Sequence, residues 1–172
     1  MAQNKTSRKI PLQDLASDIE NWINSDLSKP LATFNNLPAC PYAKKAWMDK
    51  RVQVKQIVGL DVFNYMEQDS WTWSGKRDVI VYGMKPDAVS SHQLSTLVEQ
   101  ANSTFLKDRG FVALEDHPDD LEQIQDVCLN QGTWALVLLQ KRSKLDEARQ
   151  YLASKNYYKY WPEKYRSEVQ DR

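Results

Sequence analysis

Four short segments of strand-like composition alternate with segments of helical periodicity, and this alternation constrains the fold more than any other feature of the sequence. The strand-like segments are RVQVKQIV (51–58), DVIVYGM (78–84), FVALE (111–115) and WALVLLQK (134–141). Branched and aromatic apolar residues are typical of strands. The last segment is the most apolar, so we expect it at the centre of the sheet.

Helical patterns separate these strands. The expected helices are 12–27, 41–50, 60–69, a segment from Ser90 to Gly110, a segment from Asp119 to Leu129, and one that begins at Ser143. Ser90 with Gln93, and Asp119 with Glu122, have the spacing of a capping box, which predicts a helix start at each.

Strands separated by helices predict an α+β fold, a two-layer sandwich with one four-stranded sheet and helices mainly on one face. The order of elements resembles a ferredoxin-like arrangement with insertions. Residues 1–9, MAQNKTSRK, are polar and basic without periodicity, so we expect a flexible N-terminal arm. Residues 10–172 are expected to form a single α/β domain.

The composition is that of a globular protein without a charge bias. The chain has 23 basic and 23 acidic residues, which argues against a dedicated nucleic-acid binder. Its longest apolar run, Ala135 to Leu139, is too short to span a membrane, and we find no signal-peptide pattern. The two cysteines form no disulfide framework. These features predict a small soluble protein of the reducing cytoplasm, with no membrane association.

The stretch CPYAKKAW, 40–47, places a cysteine directly before a proline at an expected helix start. Unpaired backbone N–H groups at such a start favour a thiolate, and Lys44 adds positive charge one turn later. Cys40 is therefore a candidate catalytic nucleophile with Lys44 tuning its reactivity. The alternative is a small, partly buried residue beside a turn, which is the commoner role of a free cysteine.

The same stretch resembles two families. CPYAKKAW is similar to the active-site start of glutaredoxins, with Ala43 in place of the second cysteine. A longer resemblance is to a family of uncharacterised bacterial proteins that share a Cys-Pro-Phe-Ala-Lys stretch and a later His-Pro-Asp. Here these are residues 40–44, with Tyr42 in place of Phe, and residues 117–119. The resemblance implies no activity, but it draws attention to Cys40 and His117.

The segment LEDHPDD, 114–120, holds the candidate acid–base and metal-binding groups. Glu115, His117 and Asp119 occupy alternate positions, which share one side of an extended chain. No cofactor is predicted, but these three residues are the ligands we would expect if the protein binds a metal. His117 is alternatively a catalytic acid or base, and Asp119 a helix cap.

Aromatic and basic residues indicate where a ligand would bind. Trp71 and Trp73 alternate beside Gly75, while Tyr42 and Lys45 lie in a basic stretch. We expect Trp71, Trp73, Tyr42 and Lys45 to contact a small anionic ligand or a protein partner. Shielding of the sheet edge is the alternative role of the two tryptophans.

The C-terminal segment is also rich in aromatic residues: Tyr157, Tyr158, Tyr160, Trp161 and Tyr165. Wrapping of the core is the first interpretation, because a tyrosine can be buried with its hydroxyl at the surface. A homodimer interface through this aromatic C-terminus is the second. Stacking on nucleic-acid bases ranks last because the nearby positive charge is modest.

Two functions are consistent with these patterns. The first is a ligand-binding or protein-interaction module, since no catalytic constellation is complete. The alternative is a thiol- or metal-dependent enzyme that uses Cys40 as nucleophile or ligand and His117 as acid or base. Whether the protein is an enzyme stays open at this point.

Overall fold

The computed structural model describes residues 14–171. The expected N-terminal arm, residues 1–9, lies outside this range, and a single domain over 10–172 stays a prediction. The helices are α1 (Leu15–Trp22), α2 (Ala43–Met48), α3 (Val62–Trp71), α4 (Ser91–Ala101), α5 (Arg142–Ser154) and α6 (Glu163–Asp171). α1 and α4 continue as π-helical turns over Ile23–Leu27 and Asn102–Leu106, and 3₁₀ turns span Ala32–Phe34 and Pro86–Ala88.

The strands are β1 (Pro30–Leu31), β2 (Leu37–Pro38), β3 (Val52–Gln56), β4 (Val79–Met84), β5 (Phe111–Asp116), β6 (Gln123–Ile124), β7 (Val127–Cys128) and β8 (Ala135–Lys141). β3, β4, β5 and β8 are the four strands that the sequence predicts. They form one four-stranded mixed sheet, so the prediction of a mixed α and β structure with one four-stranded sheet is confirmed. β1 with β2, and β6 with β7, form separate two-stranded pairs.

β8 lies inside the sheet, as its apolar sequence predicts. The strand order is β3-β4-β8-β5, with β3 parallel to β4 and β8 antiparallel to both of its neighbours. β3, β4 and β5 therefore run in one direction, and β8 lies between two of them. Parallel strands need crossover connections, which α3 and α4 provide. The two crossovers, from β3 to β4 and from β4 to β5, move in the same direction across the sheet. Right-handed connections therefore place α3 and α4 on the same face.

Helices nevertheless cover both faces of the sheet. Ile80, Tyr82 and Met84 of β4 pack with α3 and α4 on the first face. On the second face, Val81 of β4 and Leu136 of β8 pack with residues of α1. The expected two-layer sandwich with helices mainly on one face is therefore not confirmed. The ferredoxin-like arrangement is not confirmed either, because the connection between β5 and β8 contains a hairpin where a helix was expected.

The prediction of a helix from Asp119 to Leu129 is wrong. The chain forms the hairpin β6–β7 there, and Gln125 at its turn has a left-handed φ of 56°. The backbone N–H of Asp119 donates to Nδ1 of His117, and that of Glu122 donates to Oδ1 of Asn130. The backbone N–H groups of Asp119 and Glu122 thus bond to His117 and Asn130, and not to each other's side chains as in a capping box. These contacts override the local helix signal.

The C-terminal aromatic residues pack mainly inside the chain. Phe34 and Tyr157 stack with ring centroids 5.1 Å apart, and Trp161 contacts both rings. Tyr157 and Tyr158 are buried in this cluster, whereas Tyr160 is 47% exposed. The buried residues Tyr157 and Tyr158 therefore pack as the core-wrapping interpretation expects. No helix within residues 14–171 combines the length and hydropathy needed to cross a bilayer.

α1 approaches the sheet closely at Gly83 of β4. A Cβ atom at this position would lie 2.5 Å from both terminal methyl carbons of Leu15, which is itself 4% exposed. The absence of a side chain at Gly83 therefore lets α1 pack on the second face.

We predict that Gly83→Ala lowers the free energy of unfolding by about 1–3 kcal/mol, because the added methyl overpacks the α1–sheet contact. The measurement is chemical unfolding of Gly83→Ala, Leu15→Ala and the double variant. Leu15→Ala alone should cost about 2–5 kcal/mol. In the Leu15→Ala background the cost of Gly83→Ala should fall, and simple additivity of the two costs would contradict the contact.

A buried ionic network joins the first face to α3. Both carboxylate oxygens of Asp69 lie 2.7 Å from Nζ of Lys55, and the hydroxyl of Tyr82 donates to Oδ2 at 2.7 Å. Asp69 is 6% exposed and Tyr82 is fully buried. Burial, and secondly the Asp69 carboxylate, raise the pKa of the Tyr82 hydroxyl, which therefore stays a donor.

We predict that Tyr82→Phe costs about 1–2 kcal/mol of unfolding free energy by removing one hydrogen bond from a carboxylate. Asp69→Ala should cost about 3 kcal/mol, because it leaves the Lys55 ammonium and the Tyr82 hydroxyl without their acceptor. Urea unfolding measures both changes. Asp49→Asn is the matched control, since its ion pair with Lys45 is exposed and should change stability by less than about 0.5 kcal/mol. Equal effects of the three changes would contradict the network.

Candidate binding site

Cys40 lies at the start of the turn into α2 and is half-buried as a residue, and desolvation of its sulfur is the largest influence on the thiol. The backbone N–H groups of Tyr42 and Ala43 point at the sulfur and favour the thiolate, as the sequence suggests. Desolvation by the surrounding protein is the larger effect, so the pKa of the Cys40 thiol is raised above its usual value. The sulfur also lies near the buried phenol of Tyr157. Lys44 is exposed and is not among the groups that shift this pKa.

His117 is almost fully buried, with 2% exposure, and both of its ring nitrogens are hydrogen-bonded. The backbone N–H of Asp119 donates to Nδ1 at 3.1 Å, so Nδ1 is an acceptor. Nε2 therefore carries the proton and donates to the carbonyl of Val89 at 2.9 Å. A neutral ring held in this way joins the loops after β4 and β5. Within residues 14–171, no hydrogen bond or ion pair connects His117 to Cys40.

The possible metal ligands are not brought together. Glu115 accepts a hydrogen bond from Ser95 at 3.3 Å, while Oδ2 of Asp119 lies 3.8 Å from Nδ1 of His117. Across the described residues, no three His, Cys, Asp or Glu side chains are grouped in a way that could hold a metal ion.

The loop after β5 is organised by Asn130. Its amide nitrogen donates to Oδ1 of Asp116 at 2.6 Å and to the carbonyl of Asp120 at 2.9 Å. Asp116 also accepts from the backbone N–H of Gln131 at 2.9 Å. Burial raises the pKa of the Asp116 carboxyl despite these donors. Asn130 is not among the predicted site residues, because its partners Asp116 and Asp120 are 14 and 10 residues away in the chain.

The four expected ligand-binding residues lie in two places. Tyr42 and Lys45 lie on or beside α2, where the Tyr42 ring packs edge-on against Tyr151 and Lys45 pairs with Asp49. Trp71 ends α3 and is 72% exposed, but the guanidinium of Arg109 covers one face of its ring at 4.1 Å.

Trp73 is half-buried and packs edge-on against Phe111 at a centroid distance of 5.0 Å. Of the four expected residues, Trp73 is therefore the one in contact with the wall of the groove described next.

A groove of about 630 Å³ lies between α4 and β5, which forms one edge of the sheet. Ser95, Glu99, Asn102 and Lys107 line one side of the groove, and residues 111–115 with Arg142 line the other. The edge of β5 that faces the groove has no neighbouring strand. The groove is therefore a concave surface beside a strand edge whose first three residues, Phe111 to Ala113, are buried.

The two ends of the groove carry opposite charge. Lys107 and Arg142 lie at the start of β5, where their backbone groups bond to Gly110. Glu115 lies at the other end, near Ser95, while Glu99 lies along α4 between Ser95 and Asn102. Within the described part of the chain, Lys107 makes no ion pair, and Arg142 has only a 3.9 Å contact with Asp146. The basic end is thus available to an anion.

Asn102 lies at the middle of the groove and bonds to the strand edge. Its side-chain nitrogen donates to the carbonyl of Ala113 at 2.9 Å, and its Oδ1 accepts from the N–H of Ala113 at 2.8 Å. The sequence contains a signal for this role of Asn102, although Asn102 is not among the predicted site residues. Asn102 follows Leu94 and Val98 at a spacing of four, so it is a polar residue on an apolar helix stripe and needs a partner. The sequence contains no comparable signal for a binding role of Lys107 or Arg142.

Comparisons of this chain with protein-family models, curated protein sequences and solved structures give no match. The resemblances described from the sequence therefore stay predictions, and the groove must be interpreted from its own geometry.

We predict that Cys40 reacts slowly with iodoacetamide at neutral pH. Its pKa is raised above an ordinary value of 9.0, so its thiolate fraction stays below about 1% at pH 7 and grows only in alkaline solution. The measurement is the alkylation rate of a Cys128→Ala variant between pH 6 and 10. The matched control is Cys40→Ala, which retains the exposed Cys128 and should react at least about tenfold faster at pH 7. A Cys40 rate that equals the Cys128 rate and levels off below pH 8 would contradict burial of the sulfur.

Proposed function

We propose that this protein is a ligand-binding or protein-interaction module and that the groove between α4 and β5 is its binding site. The observation that carries the proposal is a concave surface with two weakly engaged cations, Lys107 and Arg142, at one end and the carboxylate of Glu115 at the other. A volume of about 630 Å³ is within the range of small-ligand sites.

Charge indicates which ligands the groove prefers. Lys107 is free of ion pairs in the described structure and Arg142 is only weakly engaged, so their attraction for an anion is little reduced by protein carboxylates. The ligand is therefore anionic where it meets Lys107 and Arg142, in agreement with the anionic ligand or protein partner expected from the sequence.

The alternative, a thiol- or metal-dependent enzyme based on Cys40, Lys44 and His117, has weaker support. Burial raises the pKa of the Cys40 thiol, and both nitrogens of His117 are already bonded. Catalysis by either residue would require these contacts to open first.

Cellular location and self-association are parts of the same proposal. Both Cys40 and Cys128 are free thiols, which fits a reducing cytoplasm. A homodimer through the aromatic C-terminus would use Tyr160, because Tyr157 and Tyr158 are buried within the chain.

We predict that small anions bind at the basic end of the groove. Titration of ¹⁵N-labelled protein with glutarate or inorganic phosphate should shift the backbone amide signals of residues 107–113 and 142, because these amides surround the two cations. The double variant Lys107→Glu with Arg142→Glu should lose the shifts. Its fold should persist, since a glutamate in the first turn of α5 is favourable to the helix dipole.

The matched control is Lys44→Glu with Lys45→Glu, which reverses two exposed charges on α2. This variant should retain the shifts in the groove. Shifts that survive in the Lys107/Arg142 variant, or that map to α2 in the wild type, would contradict the proposed site.

A further inference from the structure

The strand β3 forms the other edge of the four-stranded sheet, and its outer side is open. Among the residues that the structure describes, β4 is its one strand neighbour. None of the residues Val52–Gln56 is buried, since the first four are half-buried and Gln56 is exposed. At the opposite edge, by contrast, residues 111–113 of β5 are buried beneath the helical turn that follows α4. The β3 edge therefore has space beside it that the β5 edge lacks.

The hydrogen bonds between β3 and β4 fix which backbone groups of β3 point outward. The carbonyl of Arg51 accepts from the N–H of Val79, and the N–H of Ile57 donates to the carbonyl of Gly83. Because backbone groups alternate in direction along a strand, the odd-numbered residues of β3 face β4. The even-numbered residues direct their N–H and C=O groups away from the sheet: Val52, Val54 and Gln56. Within residues 14–171, no turn, loop or side chain bonds to these outward groups.

The features that usually protect an edge strand from pairing are missing in β3. Its sequence VQVKQ contains no proline, and its register with β4 is continuous, without a bulge. Lys55 is its one charged residue, and both carboxylate oxygens of Asp69 lie 2.7 Å from its Nζ. The charge of Lys55 is therefore directed toward α3, where it does not repel a strand at the edge.

Exposed apolar side chains are concentrated around the same edge. Of the nine large apolar side chains that are exposed in the described structure, four belong to this region: Met48, Val58, Leu60 and Tyr65. Met48 lies shortly before β3, while Val58 lies two residues after it and is 87% exposed. The Tyr65 ring lies beside β3, with its centroid 5.9 Å from Nζ of Lys55. Contiguous apolar surface of this kind is typical of a protein–protein interface.

We propose that a second copy of this chain pairs with the β3 edge, so that two sheets join into one across a two-fold axis. The two β3 strands run antiparallel, with Val54 of one protomer opposite Val54 of its partner. Val52 of each protomer then lies opposite Gln56 of the other. All these residues direct their backbone groups outward, so each opposite pair exchanges both of its main-chain hydrogen bonds.

Charge favours this register over its neighbours. A two-fold axis at Gln53 would place Arg51 opposite Lys55, and an axis at Lys55 would place the two Lys55 side chains opposite each other. Like charges that lie directly opposite destabilise a pair of strands. With the axis at Val54, Lys55 lies opposite the uncharged Gln53. This register also uses all three outward-facing residues of β3.

The exposed apolar residues fit a second copy of the same edge. Antiparallel pairing brings the segment before one β3 next to the segment after the other. Met48 of one protomer therefore lies at the same end of the joined sheet as Val58 and Leu60 of its partner. The surface is complementary to itself, which is the condition for two-fold association. The groove between α4 and β5 lies at the opposite edge of the sheet, so the dimer and the groove are independent of each other.

The first test is sedimentation equilibrium, which should show wild-type protein in reversible exchange between the 20.0 kDa chain and a species of twice that mass. Gln56→Pro removes an outward N–H without touching a bond to β4, and edge strands accept proline at such a position. Because the two-fold dimer loses two hydrogen bonds, its affinity should fall at least about tenfold. Gln56→Ala is the matched control, since it retains the N–H and should dimerise nearly as wild type does. Equal affinities of the proline and alanine variants would contradict strand pairing.

Disulfide trapping tests the register, in a background of Cys40→Ala with Cys128→Ala. Val54→Cys should give a covalent dimer on oxidation with diamide, because opposite Cα atoms of a hydrogen-bonded pair lie about 5.5 Å apart. Val52→Cys is the matched control, since its two copies would lie about 14 Å apart and should not cross-link. A mixture of Val52→Cys and Gln56→Cys proteins should cross-link. If Val52→Cys alone cross-links as fast as Val54→Cys, the proposed register is wrong.

Hydrogen exchange of the wild-type protein decides the question even if a variant fails to fold. The amides of Val52, Val54 and Gln56 should become protected as the protein concentration rises, because pairing supplies their acceptors. Tyr160→Ala should leave the association unchanged, which separates this interface from one through the aromatic C-terminus. A wild-type protein that stays monomeric with these amides unprotected, or a dimer that Tyr160→Ala dissociates and Gln56→Pro does not, would overturn the proposal.

Discussion

The antiparallel strand β8 is the element on which the rest of the structure depends. It pairs with β4 on one side and β5 on the other, so it joins the parallel β3–β4 unit to the strand that follows α4. Its residues alternate between the two apolar layers, with Val137 facing α3 and α4 and Leu136 facing α1. Because β8 fills the central position, β5 becomes an edge strand. The groove beside α4 is a direct consequence of that position.

Three buried or half-buried polar side chains, Asp69, His117 and Asn102, are satisfied by partners that limit what they can do chemically. Asp69 is bonded by Lys55 and Tyr82, His117 by two backbone groups, and Asn102 by both backbone groups of Ala113. A buried group without such partners would cost stability, so each bond has a structural role. The cations Lys107 and Arg142, by contrast, are little engaged by protein carboxylates. Our proposal of binding rather than catalysis rests on this difference.

Local patterns predicted the regular elements well where they coincided with long-range packing. The four sheet strands and the capping box at Ser90 and Gln93 occur as expected, because apolar periodicity and burial agree there. The same capping pattern at Asp119 and Glu122 failed, because His117 and Asn130 take the backbone groups that a helix would use. At Cys40 the helix-start effect is present, but burial outweighs it. In each failure, a contact from outside the local segment decided the outcome.

The sequence by itself determined the α/β class, the four strands, the central place of β8 and the balance of charge, since these follow from composition and periodicity within short windows. Only the tertiary structure decided that helices cover both faces of the sheet, that Leu15 packs against Gly83, and that Asn102 bonds to the backbone of Ala113. It also placed Lys107 and Arg142 at one end of a groove and Glu115 at the other. These pairings join residues that are distant along the chain or on different elements. Their encounter depends on strand order and crossover direction, which no local pattern encodes.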